Sequence, residues 1–357
     1  MNRTRALILL LHVAAALQAC TESSGPNGRT AVTRVAVTFA AEPLKVLDSG
    51  GVTTAVISCG PRCRIRNVEW SEDGEMLAMT ANLDSASALL VSNRDGSGLR
   101  EIARVPATIA VGPKGSTSLQ FFDFQQAWSS DNRLAYANKG LVISAADGTA
   151  RRTLLPGVDP LRPRWTPRDS AITYINGASS QLEIIGINGS TSRRLVTLPG
   201  DVTGQAWSPD GGMLAISATE AGEGELYVLD SRTSSTRQLA AMSITSSLCW
   251  SPDSRRISFV HAEGLSVSSS YATTASIIGS DGSHLIDIAA IPRFLTARVS
   301  WSSNGASLLF SSDDPQLLTN ILVADPTPGT MTRTFTTERG IGYFAVSGVR
   351  CSYLFNL

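Results

Sequence analysis

The chain has 357 residues, 43% hydrophobic and 17% charged, a balance that supports a sizeable core and excludes intrinsic disorder as the overall state. Lys plus Arg and Asp plus Glu each number 30, for a formal net charge of zero. No run of like charge occurs, so the electrostatic footprint of a nucleic-acid binder is missing, as is that of a protein held on an anionic bilayer by charge alone.

In chain order the first element is an export signal, residues 1–19. Arg3 and Arg5 precede an apolar stretch, Ala6 to Leu17, too short to cross a bilayer as a mature helix. It ends in Leu17-Gln18-Ala19-Cys20, which resembles the lipobox of bacterial lipoproteins. That resemblance implies that the Cys20 thiol takes a diacylglycerol and becomes the first mature residue; an ordinary secretory peptide is the alternative. Residue 21 is Thr rather than Asp, which in the resembling proteins implies forwarding to the outer membrane. Residues 20–32 are small, polar and contain Gly and Pro, the composition of a flexible tether. The mature protein is thus expected outside the cytoplasm, lipid-anchored on the periplasmic or surface side, with the outer membrane favoured over the inner.

The single domain expected over 33–357 is built from a repeat. VEWSEDGEMLAMT (68–80), AWSSDNRLAYAN (127–138), RWTPRDSAITYI (164–175), AWSPDGGMLAIS (206–217), CWSPDSRRISFV (249–260) and SWSSNGASLLFS (300–311) share one plan. Their tryptophans, Trp70, Trp128, Trp165, Trp207, Trp250 and Trp301, are all 6 in the chain. The spacing of about 46 residues fits a propeller blade. After each tight turn comes an alternating apolar run, then a second run and an Asp/Asn-Gly turn, as in LVISAADGTARRTLL (141–155). Period-two alternation between such turns is the mark of successive hairpins. The unit is therefore four antiparallel strands, a to d, with the Trp on strand a, and the fold class is an all-β propeller. The Trp is read as a wedge between blades, where its burial contributes about 2–3 kcal/mol.

The chain ends are expected to supply one further blade. LKVLDSGGVTTAVIS (44–58) superimposes on LYVLDSRTSSTRQLA (226–240) and is read as strands c and d; YFAVSGVRCSYLFNL (343–357) is read as strands a and b. Pairing them gives seven blades and closes the ring without a free sheet edge. A six-blade count, with 33–58 as a separate strand pair, is the alternative.

The pattern W-S-P-D-G, then alternating hydrophobics, then a strand, D-G and a polar residue, resembles the TolB-type β-propeller repeat over nearly all of 60–325. Trp207 to Ile216 and Trp250 to Phe259 match it most closely; Trp165 to Tyr174 and Trp301 to Phe310 depart at the Pro or Gly of the turn. TolB itself carries an α/β domain before its propeller, and only about 23 residues separate Cys20 from Leu44 here. The resemblance therefore implies the propeller but not the Tol-system role. The same repeat occurs in propellers that gate prolyl-oligopeptidase-type peptidases, whose hydrolase domain has no room in this reading.

If the a–b and c–d turns share one face, the longer b–c and d–a connections lie on the other, and binding residues concentrate on such loops. This places Lys114, Phe121 and Phe122, then Arg293, Phe294 and Arg298, then Asp313 and Asp314 on a candidate binding face around the central funnel. F-x-F before Trp128 also reads as the start of strand a, and two adjacent carboxylates read as a solvated loop rather than a calcium site. No G-x-S-x-G elbow, H-E-x-x-H, Walker loop or dinucleotide glycine fingerprint is present. His261 and His284 are read in a loop and beside a turn, without neighbours at triad or zinc spacing. Carboxylates brought together from distant blades keep glycoside chemistry open. Cys59, Cys63, Cys249 and Cys351 lie in a compartment that permits disulfides; a bond from Cys351 to Cys59 or Cys63 would lock the chain ends, and the local Cys59 to Cys63 bond is the alternative. The expected function is a non-catalytic cell-envelope scaffold that binds a protein partner, with no metal and no cofactor. A glycan-binding or small-ligand propeller and a hydrolase or lyase are the rivals.

Overall fold

The computed structural model describes residues 34–39, 43–111, 117–262, 272–292, 298–311, 321–326, 333–334, 341–346, 349 and 351–352. The signal, Cys20 and the tether lie outside these residues. Seven four-stranded antiparallel sheets form the blades, with an added strand on one of them and a separate two-stranded hairpin. In strand order a to d, blade 1 is Arg64–Trp70, Met76–Asn82, Ala86–Asn93 and Arg100–Pro106. Blade 2 is Ala127–Trp128, Arg133–Ala137, Gly140–Ala145 and Arg152–Pro156, and blade 3 is Pro160–Trp165, Ala171–Asn176, Gln181–Gly186 and Arg193–Arg194. Blade 4 is Asp201–Trp207, Met213–Glu220, Glu223–Asp230 and Thr236–Ala240; blade 5 is Ser243–Trp250, Arg256–Ala262, Ala272–Gly279 and Ile286–Pro292. Blade 6 is Arg298–Trp301, Leu308–Ser311, Ile321–Ala324 and Arg333–Thr334.

Blade 7 closes the ring, in a different proportion from the one expected. Its strands are Ile341–Val346, Val35–Phe39, Leu44–Leu47 and Thr53–Ile57, in that hydrogen-bonded order. The N-terminus thus supplies strands b, c and d, and the C-terminus supplies strand a alone. VAVTF (35–39) alternates like the other b strands and is held on both edges, by Leu44–Leu47 and by Ile341–Val346. The chain end then leaves the blade. Cys351–Ser352 pairs with the free edge of strand a in blade 5, opposite Cys249 and Leu248. The strand a of each blade touches the strand a of the next all the way round, so that edge faces the central channel and the chain's own C-terminal segment occupies it.

Most b and c strands are buried on both faces because each lies between two neighbouring blades; strand b of blade 4 is almost continuously buried, while its strand d is largely exposed. The core is accordingly divided into seven clusters, one between each pair of adjacent blades. Every tryptophan is buried in one of them. The indole Nε1 donates across the interface to the carbonyl just before the preceding blade's Trp: Trp128 to Glu69 at 3.2 Å, Trp165 to Ala127 at 3.1 Å and Trp250 to Ala206 at 2.8 Å. Trp207 instead donates to Thr173 Oγ1. Arg133 and Arg256 cover the outer faces of Trp165 and Trp301, each 4.7 Å from the ring centroid.

The a–b turn depends on a residue that the sequence pattern did not single out, the serine after the Trp. In blade 4 the buried Ser208 Oγ donates to Asp210 Oδ1 at 2.6 Å and accepts the Met213 amide at 2.9 Å. Ser71, Ser129 and Ser251 repeat this with Asp73, Asp131 and Asp253, and Ser302 does so with Asn304. Gly211 has φ +74°, and a Cβ there would lie 2.7 Å from Pro167 of the neighbouring blade. Gly211→Ala is expected to destabilise by about 1–3 kcal/mol, read as a lowered urea midpoint with unchanged slope. Asp210 is desolvated, which opposes ionisation, but bonds from Ser208, the Gly212 amide and Ser254 together hold its carboxyl below the usual range. Its contribution is present above the unfolded carboxyl pKa and is lost as pH falls through the lower folded value. Asp210→Asn is therefore expected to flatten the acid limb of a stability profile below about pH 4, measured by urea unfolding at stepped pH.

Candidate functional site

Strand a carries irregularities at its loop end. Its register against strand b shifts between Ile65 and Asn67, Leu161 and Arg164, Val202 and Gly204, and Ile244 and Leu248. Such bulges leave residues unpaired and re-aim them, here at the funnel mouth. Arg162 is one of these. It has φ +51°, and burial, followed by the nearby Arg164 charge, pushes its pKa down to about 10 against the opposing pull of Asp123. Its amide donates to Gln125 Oε1 at 2.7 Å and its carbonyl accepts Gln205 Nε2 at 2.9 Å. Gln125 is itself at φ +47°. Arg164 donates from Nη2 to the Cys351 carbonyl at 3.2 Å, so the C-terminal segment is tied to blade 3 as well as blade 5. What remains between Asn67, Glu69, Gln125, Gln126, Arg162 and Arg164 is a cavity of about 20 Å³, room for a single water. These polar side chains and the chain's own end thus occupy part of the funnel expected to hold a ligand.

The larger opening lies over the loop end of blade 1, with a volume of about 500 Å³. Its walls come from the blade 7 to blade 1 connection (Pro61, Arg62, Cys63), from the start of strand a (Arg64, Arg66), from the b–c turn (Asn82 to Asp84) and from Phe121. All of these sit on the variable-loop face. Cys59 and Cys63 are disulfide-bonded, with Cα atoms 5.5 Å apart, and close the rim into a short loop. Arg62 pairs with Asp84 at 3.2 Å with both side chains well exposed, an ion pair of small energetic value. Arg64 and Arg66 are exposed and have no ion-pair partner among the described residues. The opening therefore presents more positive charge than it neutralises.

Beside it stands an element that the other blades do not repeat among the described residues, a hairpin of Thr108–Val111 and Thr117–Gln120 within the connection from blade 1 to blade 2. It pairs with no other sheet among the described residues. Ile109 and Leu119 are directly opposite each other, hence on one face, and are 68% and 46% exposed. Phe121, 36% exposed, follows two residues later and reaches the cavity wall.

The remaining expected residues are distributed as follows. Phe122 is half-buried, its ring edge-on to Phe124 at 5.1 Å, and Phe124 is fully buried against Tyr136; neither starts strand a, which is only Ala127–Trp128. Arg298 opens strand a of blade 6 opposite Ser311. Lys114, Arg293, Phe294, Asp313 and Asp314 lie outside the described residues. Cys351 is bonded to Cys249, with Cα atoms 4.3 Å apart, which corrects the expectation of a bond to Cys59 or Cys63: after leaving blade 7 the chain returns to blade 5. His261 is not in a loop but in strand b of blade 5, buried, with Nε2 3.1 Å from Ser276 Oγ. Ser276 in turn donates to Asp287 Oδ1 at 2.7 Å, so the hydroxyl proton lies on the carboxylate side. A nucleophile would need the histidine between the two. His284 is in an exposed turn beside Ser283. Among the described residues no group of three or more His, Cys, Asp or Glu is placed to hold a metal ion.

The arginines of the opening escaped the sequence reading, although RCRIR (62–66) places three of them in alternation around Cys63. That local density of charge at the start of a strand was the available signal.

Comparison with known proteins gives a consistent picture of the fold. Over 85 residues the chain is 29% identical to dipeptidyl-peptidase 5 of Porphyromonas endodontalis, 23% of this chain and 12% of that protein, so it spans about an eighth of that relative's length. The periplasmic gluconolactonase PpgL of Pseudomonas aeruginosa superposes with a TM-score of 0.59 at 12% identity, covering 89% of this chain and 99% of that one. An oligogalacturonate lyase in complex with manganese superposes with a TM-score of 0.58 at 13% identity, covering 94% and 95%. At such identities the likeness is one of fold. Residues 116–340 match the family described as TolB beta propeller domain, and the chain belongs to that family.

Proposed function

We propose that this protein is an exported, lipid-anchored propeller that acts as a non-catalytic binding module, holding an envelope protein partner against its variable-loop face. The observation that carries the reading is the opening of about 500 Å³ over blade 1, flanked by the exposed apolar hairpin; a rigid ring that presents one irregular, part-apolar and part-cationic edge has the makeup of a protein-docking surface. The leader, residues 1–19, and the tether, residues 20–32, ahead of a propeller over 33–357 agree with export and anchoring at Cys20, with the outer membrane favoured. Confinement by the lipid would raise the effective concentration of the loop face for partners in the same membrane.

A second reading, a hydrolase or lyase, draws on the two enzymes that share the fold. A general acid for glycoside chemistry needs a carboxyl held above its usual range. Burial opposes ionisation of Asp131, Glu183, Asp210 and Asp253, but hydrogen bonds from neighbouring groups hold each of these carboxyls below the usual range. Cross-linking pull-down of the lipidated protein from envelopes, with a Cys20→Ser control, tests the first reading. Recovery of a defined partner above the control supports it; no recovery, with turnover of a gluconolactone or an oligogalacturonate by the purified chain, replaces it with the second.

A further inference from the structure

We infer that the opening over blade 1 and the adjacent hairpin form one recognition site for an extended acidic segment of a protein partner, carboxylates on Arg64 and Arg66 and apolar side chains on Ile109, Leu119 and Phe121. The inference rests on the binding-module reading and specifies the chemistry of its partner. Three features meet at this place.

The first is charge. The cavity wall holds three guanidinium groups and one carboxylate, and the carboxylate is already paired with Arg62. Arg64 is two residues from Arg62 and lies opposite Asn82, which offers no charge. Arg66 is the residue left unpaired by the register shift between Ile65 and Asn67, so the bulge serves to set a second guanidinium toward the opening. Arginine presents a planar fork of donors suited to a carboxylate, and two such forks without protein partners are complementary to an anionic segment with more than one carboxylate.

The second is an unused sheet edge. Among the described residues the hairpin strands pair only with each other, and a two-stranded hairpin is by itself marginal in water. Its outer edges present backbone donors and acceptors in the arrangement that accepts an added strand. The third is the apolar face formed by Ile109 and Leu119, continued by Phe121 into the cavity wall. A strand added to the edge near Thr117–Gln120 would lay alternate side chains beside Leu119 and then run toward the arginines. An acidic glycan satisfies the arginines but supplies neither a backbone amide for the edge nor apolar side chains for Ile109 and Leu119. That difference selects a peptide. The Cys59 to Cys63 bond fixes the opposite rim, so the ordering cost on the protein side is small.

The test uses the full mature chain and a fluorescein-labelled peptide of about eight residues alternating Glu and Val, followed by fluorescence anisotropy. Saturable binding is expected, weakening by about tenfold or more in Arg64→Glu/Arg66→Glu and again in Ile109→Ser/Leu119→Ser. It is also expected to weaken as salt rises from about 50 to about 300 mM. All four side chains are exposed, so the variants should keep the parent melting temperature, checked on the same samples. Equal binding of a Lys and Val peptide, no loss in the arginine variant, or binding of tetragalacturonate in place of the acidic peptide each overturns the assignment. The envelope pull-down repeated with Arg64→Glu/Arg66→Glu separates the two levels of the argument. A partner recovered equally well from both chains overturns this site and leaves the binding-module reading, whereas a partner recovered from neither removes the reading itself.

Discussion

Trp250→Ala is expected to lower the free energy of unfolding by about 3–5 kcal/mol, the range for truncating a large aromatic in a packed core. Trp250 has no exposed surface and packs between blades 4 and 5, against Ala206, Leu226, Val228, Ile257 and Phe259. Its indole also donates to the Ala206 carbonyl at 2.8 Å, so truncation leaves both a void and a buried acceptor without its partner. Trp250→Phe keeps most of the apolar area and removes only the donor, and is expected to cost about 1–2 kcal/mol. Urea unfolding of the two variants beside the parent measures the difference. If alanine and phenylalanine cost the same, the hydrogen bond rather than the wedge holds the interface; if neither costs more than about 1 kcal/mol, the inter-blade role assigned to the six tryptophans is wrong.

That role was legible in the sequence because it is repeated. A tryptophan at one position of six of the seven blades, followed by a tight turn and an alternating run, repeats at the period of a propeller blade, and the seventh blade follows once the ends are paired. What could be missed was whatever is used once. Val35–Phe39 is strand b of blade 7, but it lacks the Trp and turn that mark strand b elsewhere, because its strand a comes from the other end of the chain. Cys351 has no counterpart in any repeat, and its two-residue strand is too short for periodicity to register. The arginines are similarly singular: Arg66 reaches the opening through a bulge, and Arg162 turns into the funnel at a positive φ. Neither a bulge nor a left-handed arginine leaves a trace in hydrophobic alternation. Phe121 alone among the expected loop-face residues both falls within the described residues and lines the opening, because exposure on a connection outside the repeat is what the loop argument selects for.

The funnel itself changes meaning once the C-terminal segment is placed in it. An open channel invites a ligand on the axis; here Cys351 bonds to Cys249, takes a hydrogen bond from Arg164 and is buried between blades 3, 5 and 6. The ring is thereby cross-tied through its centre as well as closed through blade 7, and the proposed recognition site lies instead at the rim over blade 1. The cross-tie makes Cys351→Ser the second large effect expected. The bond spans 102 residues, and cross-linking a loop of that length restricts the unfolded chain enough to contribute typically about 2–4 kcal/mol. Removing the Cys59 to Cys63 bond, with a separation of 4, should cost less on the same grounds. Among the described residues the C-terminal strand is otherwise held by two residue pairs, Leu248 with Ser352 and Cys249 with Cys351, and by the Arg164 hydrogen bond, so breaking the disulfide should also free the segment locally before the ring unfolds. Trypsin is then expected to cut the Arg350–Cys351 bond in Cys351→Ser, or in the reduced parent, at protease levels that leave the oxidised parent intact. A lowered thermal midpoint together with that new cleavage locates the tie in the channel. Cleavage without a change in midpoint would make the segment a removable plug that adds nothing to the ring, and an intact segment with an unchanged midpoint would mean that Arg164 and the blade 5 edge hold it without the disulfide.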